Sequence, residues 1–197
     1  DGSAFDVVCD GEAAGRVEWS LTGQHNVSNA LAALAAARHA GVPPGVGIEA
    51  LRSYRNVKRR MELRGEVAGV CVYDDFAHHP TAIAATLDGL RRHVGDHRIL
   101  AILEPRSNTM RMGVHGSTLA ASLTDADQVW VYAPVDLGWD ASEVLGSLGH
   151  RLHVRGDTQT IVDEIAAIAR TGDQVLVMSN GGFEGIHGRL LAALEPA

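Results

Sequence analysis

The chain has 197 residues, which is enough for one complete domain and part of another. Its 17 Lys and Arg residues against 24 Asp and Glu residues give a net charge of −7, so neither nucleic acid nor an anionic membrane is an expected partner. No apolar run approaches the roughly 20 residues that a helix needs to span a bilayer, and no signal peptide precedes the first predicted strand. Cys9 and Cys71 lie in apolar runs without metal-ligand spacing, which favours reduced thiols. We therefore expect a cytoplasmic protein.

In chain order, the first predicted elements are a hairpin and two helices. Strands are predicted over residues 5–9 and 15–19, around the turn-forming pair Asp10-Gly11. An Ala-rich helix opens within residues 22–29 and runs to about Ala40, where Gly41 and two prolines end it. A shorter helix is predicted over residues 47–54.

Three polar side chains share the first turn of the Ala-rich helix. His25 and Asn29 are four residues apart, and Asn26 and Asn29 are three apart, so they lie on one face. On spacing alone, helix capping and solvation are the favoured explanation of this pattern.

The most informative stretch is VYDDFAHHPTAI, residues 72–83. Strands are predicted over residues 61–67 and 69–74, and Pro80 suits the first position of a following helix. Asp75 and His78 then lie where a strand ends and a helix begins, which is where open α/β sheets bind ligands. A solvated turn and a simple helix cap are the alternatives. The basic run Lys58-Arg59-Arg60 just before these strands is either a solvated charge run or a phosphate clamp.

Two further polar loops follow predicted strands. Residues 98–103 form an apolar run typical of a strand buried on both faces, and EPRSNTMR follows it at residues 104–111. This loop is either a substrate site or an ordinary exposed loop. Strands over 128–132, 152–154 and 174–178 alternate with helices over 115–123, 142–148 and 158–170, which predicts a mostly parallel sheet. The last strand runs into the Gly-rich turn SNGGFEGIH, residues 179–187, which does not match a dinucleotide-binding fingerprint.

These strings together resemble the Mur ligase family. Its C-terminal domains carry Asp-Asp-(aromatic)-(small)-His-His-Pro-Thr, matched here by DDFAHHPT, and its ATPase domain ends in Gly-x-His-Asn-x-x-Asn, matched from Gly23. The resemblance implies an α/β fold with a Rossmann-like, mostly parallel sheet flanked by helices. It also implies a peptide-binding domain over residues 57–197 that follows the end of the central ATPase domain over residues 1–56.

The resemblance also implies roles for individual residues. His78 would lie close to the reacting phosphate, and Arg60 would neutralise phosphate charge, with Arg59 as the alternative. Nucleotide contacts are assigned to His25, Asn26, Asn29, Arg59, Asp74 and Asp75, and substrate contacts to Arg106, Ser107, Asn108, Thr109, Arg111, Asn180 and His187. In the family the two Asn side chains bind adenine, His25 lies near magnesium or phosphate, and Asp75 would accept from the ribose. Glu184 departs from the family pattern, which usually has a small residue at that position.

The strings are most similar to the branch that joins the tripeptide L-Ala-γ-D-Glu-meso-diaminopimelate to UDP-N-acetylmuramate in peptidoglycan recycling. ATP would phosphorylate the lactyl carboxylate, and the peptide amine would attack the acyl phosphate. The branch that adds L-alanine to UDP-N-acetylmuramate is the nearest alternative. A non-catalytic nucleotide- or peptide-binding module is another.

The P-loop that this reaction requires, G-x-x-x-x-G-K-[ST], does not occur, and Lys58 is the only lysine. We therefore expect the chain to be a fragment without the N-terminal and central ligase domains, inactive by itself. Most ligands of the expected Mg²⁺ would lie in the missing part, and we assign no metal ligand here.

Overall fold

A computed structural model describes residues 1–112 and 116–195, and these divide into two compact units. The first contains Asp1–Val57 and Asp88–Val94, and the second contains Lys58–Leu87 and the described residues of Gly95–Ala197. His115, with which one predicted helix begins, lies outside the described residues. No helix in the described ranges is both long enough and apolar enough to span a membrane.

The first unit contains the predicted hairpin and two helices. Strands β1 (Ala4–Cys9) and β2 (Glu12–Glu18) pair antiparallel, and both turn residues between them have positive φ. Helix α1 covers Gln24–His39 and α2 covers Pro44–Arg52. The second helix begins three residues before its predicted start, because proline is well suited to the first turn, where its missing N–H has no helical partner. Val7, Val17, Leu34 and Ile48 pack together in a buried hydrophobic cluster.

The second unit is built on a six-stranded sheet. Its strands in chain order are β3 (Glu62–Val67), β4 (Val70–Asp75), β5 (Ile99–Leu103), β6 (Gln128–Tyr132), β7 (Leu152–Arg155) and β8 (Gln174–Met178). In space the order is β3-β4-β8-β5-β6-β7, with β3 antiparallel to β4 and every other pair parallel. The predicted mostly parallel α/β sheet is therefore confirmed.

Helices cover the sheet and link its strands. They are α3 (Pro80–Val94), α4 (Asn108–Arg111), α5 (Gly116–Ser122), α6 (Ala141–Val144), α7 (Thr158–Ile168) and α8 (Ile186–Ala193), with 3-10 segments at Gly146–Arg151 and Phe183–Gly185. Helix α4 was not predicted. The single helix predicted over residues 142–148 is wrong, because α6 ends at Val144, Leu145 leaves helical geometry with φ of −101° and ψ of 8°, and a separate 3-10 segment begins at Gly146.

The central strands are buried on both faces, which explains their continuous apolar runs. Every residue of β5 and β8 is buried. Alternate residues of β4 and β8, such as Val72 and Val177, pack in one cluster with Ile161 of α7 and Leu190 of α8. This rigid centre fixes where the strands end, and the polar loops predicted from the sequence begin there.

Candidate functional site

The carboxyl ends of three neighbouring strands bring the predicted polar loops together. Ser179 N–H donates to Asp75 O at 3.1 Å, and Glu104 N–H donates to Met178 O at 3.0 Å. The Asp-Asp motif, the Gly-rich turn and the EPRSNTM loop therefore lie side by side at one edge of the sheet. This edge is where open parallel sheets bind ligands.

Asp75 is almost fully buried at the end of β4, with 3% of its surface exposed. Its carboxylate accepts from Met61 N–H at 2.8 Å, from Ala77 N–H at 2.7 Å and from the Thr86 hydroxyl at 3.3 Å. Burial raises the pKa of Asp75, and the two backbone donors, Arg60 and Thr86 oppose this rise. Asp75 thus fixes the turn before β3 and the start of α3 in one arrangement.

His78 lies between the end of β4 and the start of α3. Its Nδ1 lies 2.8 Å from Phe76 O, and because a carbonyl only accepts, Nδ1–H is the donor. In the neutral ring, Nε2 is then the proton acceptor. The imidazole also contacts the Phe76 ring edge-on, with centroids 5.2 Å apart, and His79 beside it is exposed.

Asp74 projects to the other face of β4, because consecutive strand residues alternate. Its carboxylate is 5% exposed and lies 3.3 Å from both Arg59 Nε and His187 Nε2. Burial lowers the pKa of His187, an effect that Asp74 opposes. The Nε2 contact lacks hydrogen-bond geometry, so this buried nitrogen is unsatisfied among the described residues. The predicted residues Arg59, Asp74 and His187 therefore form one cluster.

This cluster lines a cavity of about 310 Å³ in the second unit. Arg64 of β3 also lines the cavity, as do glycines of the Gly-rich turn and of α8, namely Gly181, Gly182, Gly185 and Gly188. The Arg59 guanidinium is paired with Asp74, so the Arg64 guanidinium beside the small residues is the group that favours a negatively charged or strongly polar ligand group. Sequence reasoning missed Arg64, because an exposed strand Arg paired with Glu62 has no distinguishing local signal.

The Gly-rich turn is held by its first residue. Ser179 donates its hydroxyl to Glu104, and its Oγ accepts from Gly181 N–H at 2.9 Å. The Arg106 side chain lies across Gly181, where a Cβ would come within 2.6 Å of Arg106 Cδ. Arg106 and the Gly-rich turn, which the sequence predicted separately as substrate-binding, are thus in direct contact. Asn180 Oδ1 is buried there without a described partner.

The other predicted residues of the EPRSNTM loop shape α4. Ser107 caps this short helix by accepting from Met110 N–H at 3.4 Å, and its hydroxyl lies 3.3 Å from that of Thr109. Asn108 is exposed. Arg111 pairs with Asp136, and Trp139 donates to Met110 O at 2.6 Å, so the loop is held against residues 136–139.

Glu184 stands where the Mur ligase pattern usually has a small residue, and its backbone adopts the left-handed conformation. Its φ is 50°, between Phe183 at 40° and Gly185 at 68°. The strain is offset by its carboxylate, which accepts from the Thr158 hydroxyl at 2.5 Å and lies 3.6 Å from Arg189.

The three predicted residues of the first unit lie at the start of α1. Asn26 donates its amide to Thr22 O at 2.8 Å, whereas Asn29 and His25 are exposed. The expected Mg²⁺ finds no ready site: in the described part of the chain, no group of three or more His, Cys, Asp or Glu side chains could hold a metal ion.

The chain matches known proteins in both sequence and structure. Residues 59–181 match the family model for the Mur ligase, glutamate ligase domain. The chain is 53% identical over 195 residues to the UDP-N-acetylmuramate--L-alanyl-gamma-D-glutamyl-meso-2,6-diaminoheptandioate ligase of Escherichia coli (strain K12), a match that covers 98% of the chain and 43% of that protein. It is 36% identical over 206 residues to the UDP-N-acetylmuramate--L-alanine ligase of Anaeromyxobacter dehalogenans (strain 2CP-C), covering 97% of the chain and 43% of that protein.

A solved structure agrees with these matches. The crystal structure of a murein peptide ligase from Psychrobacter arcticus 273-4 superposes with a TM-score of 0.74 at 45% identity, covering 100% of the chain and 43% of that protein. The chain thus spans less than half the length of these relatives. Because the family model covers more than half of the chain, and the relatives match it almost from end to end, the chain belongs to the Mur ligase family.

Proposed function

We propose that the chain is the C-terminal part of an ATP-dependent ligase that joins L-Ala-γ-D-Glu-meso-diaminopimelate to UDP-N-acetylmuramate. The observation that carries the proposal is the 53% identity, over 98% of the chain, to the Escherichia coli ligase named for this reaction. We further propose that residues 57–197 are the peptide-binding domain and that residues 1–56 end the central ATPase domain. A cytoplasmic role in peptidoglycan recycling is part of the same proposal.

In this reaction the lactyl carboxylate attacks the γ-phosphorus of ATP, so an acyl phosphate forms and ADP leaves. The peptide amine then attacks the acyl carbon, the new amide bond forms, and phosphate leaves. The contribution of this chain would be to position the amine and to stabilise charge, since a bound and aligned amine replaces a bimolecular encounter.

The Asp75 side of β4 suits the nucleotide. A carboxylate has about four lone-pair sites, and three are occupied by Met61, Ala77 and Thr86, which leaves capacity for a ribose hydroxyl. Arg60 is exposed, with its guanidinium 5.7 Å from the Phe76 ring centre, and would neutralise phosphate charge. We assign His78 a place near the reacting phosphate but no proton transfer. Asn26 and Asn29 for adenine, and His25 near phosphate, remain predictions from the sequence.

The loops after β5 and β8 suit the peptide. Arg106 and Arg111 would pair with its carboxylates, and Ser107, Asn108 and Thr109 would supply further hydrogen bonds. Contact between Arg106 and Gly181 supports a single peptide site built from both loops. Asn180 and His187 each have a buried polar atom without a described partner, which a peptide group could satisfy.

A chimera tests the proposal. This chain would replace the corresponding 43% of the Escherichia coli ligase, and ADP release would be measured with UDP-N-acetylmuramate plus either the tripeptide or L-alanine. We expect activity with the tripeptide and none from the isolated chain, which lacks a P-loop. Activity with L-alanine alone would support the second candidate, favoured by the 36% identity to an alanine ligase. Loss of activity with both substrates in a folded chimera would contradict the proposal.

A further inference from the structure

The two adjacent arginines before β3 both lie near the Phe76 ring, with guanidinium carbons 5.2 and 5.7 Å from its centre, but Arg59 is the less exposed of the two. The backbone around them is unusual. Arg59 and Met61 have φ of 59° and 48°, a left-handed conformation that side chains rarely adopt. Three hydrogen bonds hold it. Arg59 N–H donates to Glu62 at 2.8 Å, Phe76 N–H donates to Arg59 O at 2.8 Å, and Met61 N–H donates to Asp75. Arg59 is directed inward, with 29% of its side chain exposed, whereas Arg60 is exposed.

The Arg59 guanidinium joins segments that are far apart in the chain. Its Nη2 donates to Ser179 O at 2.6 Å and to Gly181 O at 2.8 Å, and its Nε donates to Asp74 at 3.3 Å. The turn before β3, the end of β4 and the Gly-rich turn are therefore held by one planar group. A lysine ammonium is a single point charge and cannot reproduce this fork.

These contacts leave Arg59 poorly placed to bind a phosphate. Asp74 is 5% exposed, so withdrawing Arg59 toward a ligand would leave a buried carboxylate with less charge compensation. It would also leave the carbonyls of Ser179 and Gly181 without this donor. Arg60 is exposed, and its guanidinium suits a phosphate.

We propose that Arg59 is a positioning residue for the peptide site. It fixes the Gly-rich turn against the Asp-Asp strand end, and through Gly181 it sets where Arg106 lies. Arg60 alone of the pair then meets the phosphate. The kinetic consequence rests on the proposed ligase function, but the structural role does not.

The structural role can be tested on the chain by amide hydrogen exchange. R59K and R59A should speed exchange of residues 180–182 by about tenfold, while the core strands β5 and β8 keep their protection. R60A, the matched control, should leave the same amides unchanged. Unaltered exchange at residues 180–182 in R59A would overturn the proposal, as would uniform acceleration throughout the second unit in both Arg59 variants.

The kinetic role can be tested in the chimera. R59K should raise KM for the tripeptide about tenfold or more and leave KM for ATP within about twofold, because the peptide site is displaced while the phosphate contact remains. R60A should raise KM for ATP about tenfold or more and leave KM for the tripeptide within about twofold. An equal rise of KM for ATP in R59K and R60A would identify Arg59 as a phosphate ligand and overturn the proposal. An inactive wild-type chimera would count against the ligase function, and the exchange experiment would still decide the role of Arg59.

Discussion

Replacing Asp75 with Asn tests whether this buried carboxylate organises the edge of the sheet. The carboxylate accepts three hydrogen bonds, two from backbone N–H groups and one from Thr86. An amide has one acceptor oxygen, so in D75N either Met61 N–H or Ala77 N–H faces an NH₂ group. A buried donor without an acceptor costs about 1–3 kcal/mol. Burial of the charged carboxylate is itself unfavourable, and D75N removes this cost. We therefore expect D75N to lower the free energy of unfolding by about 1–2 kcal/mol, near the lower end of that range.

The same substitution has a predicted pH dependence. Burial raises the pKa of Asp75 in the folded chain above its unfolded value of 3.8. At a pH between the unfolded and the folded pKa, the folded chain therefore binds a proton that the unfolded chain has released. This contribution to stability is fully present below the unfolded pKa and is lost as pH rises through the folded pKa. D75N lacks it. The destabilisation caused by D75N should therefore be larger at about pH 4 than at about pH 7.

Urea denaturation followed by Trp130 fluorescence measures both effects. Trp130 is buried in the core of the second unit, and a W19F/W139F background isolates its signal. D163N is the matched control, because Asp163 is an exposed helix residue whose loss should change stability by less than about 0.5 kcal/mol. A D75N chain as stable as the wild type across this pH range would refute the assigned hydrogen bonds.

Three further predictions address the Gly-rich turn and His187. G181A should push Arg106 aside and raise KM for the tripeptide in the chimera about tenfold, while stability changes by less than about 1 kcal/mol because Arg106 is exposed. E184G should be more stable than E184A by about 1 kcal/mol in urea denaturation, because both lose the carboxylate but only Gly adopts φ of 50° without strain. H187Q should lose less stability than the wild type as pH decreases. The pKa of His187 is lowered from 6.5, so its contribution is present above this value and lost as pH falls through the folded pKa, by up to about 1.4 kcal/mol per pH unit.

G181A and H187Q each have a matched control, and E184A is the reference for E184G. G182A introduces the same methyl group one residue later, where nothing lies within 4 Å, and should leave KM unchanged. H150Q removes an exposed imidazole from the same unit and should keep the wild-type pH slope. Equal KM values for G181A and G182A would contradict the contact with Arg106. An unchanged slope in H187Q would show that this imidazole titrates alike in the folded and unfolded chain.

The junction between β4 and α3 could be predicted almost to the residue because its signals are local. Val70 and Val72 favour a strand, and Pro80 at a first helical position marks the start of α3. The helix predicted over residues 142–148 failed for the complementary reason. Its apolar spacing suits a helix, but Leu145 leaves helical geometry and a 3-10 segment begins at Gly146.

The amino-acid sequence by itself determined the alternation of strands and helices, the double burial of the central strands and the polar loops that follow them. It did so because these features depend on side-chain periodicity and on turn-forming residues close in the chain. Only the tertiary structure decided that the last strand, β8, lies between β4 and β5, which places Ser179 beside both Asp75 and Glu104. The local sequence of an apolar strand does not indicate which strands lie beside it in the sheet. Likewise, two adjacent arginines look alike in sequence, and a left-handed backbone at Arg59, held by contacts distant in the chain, sets one inward and leaves the other at the surface.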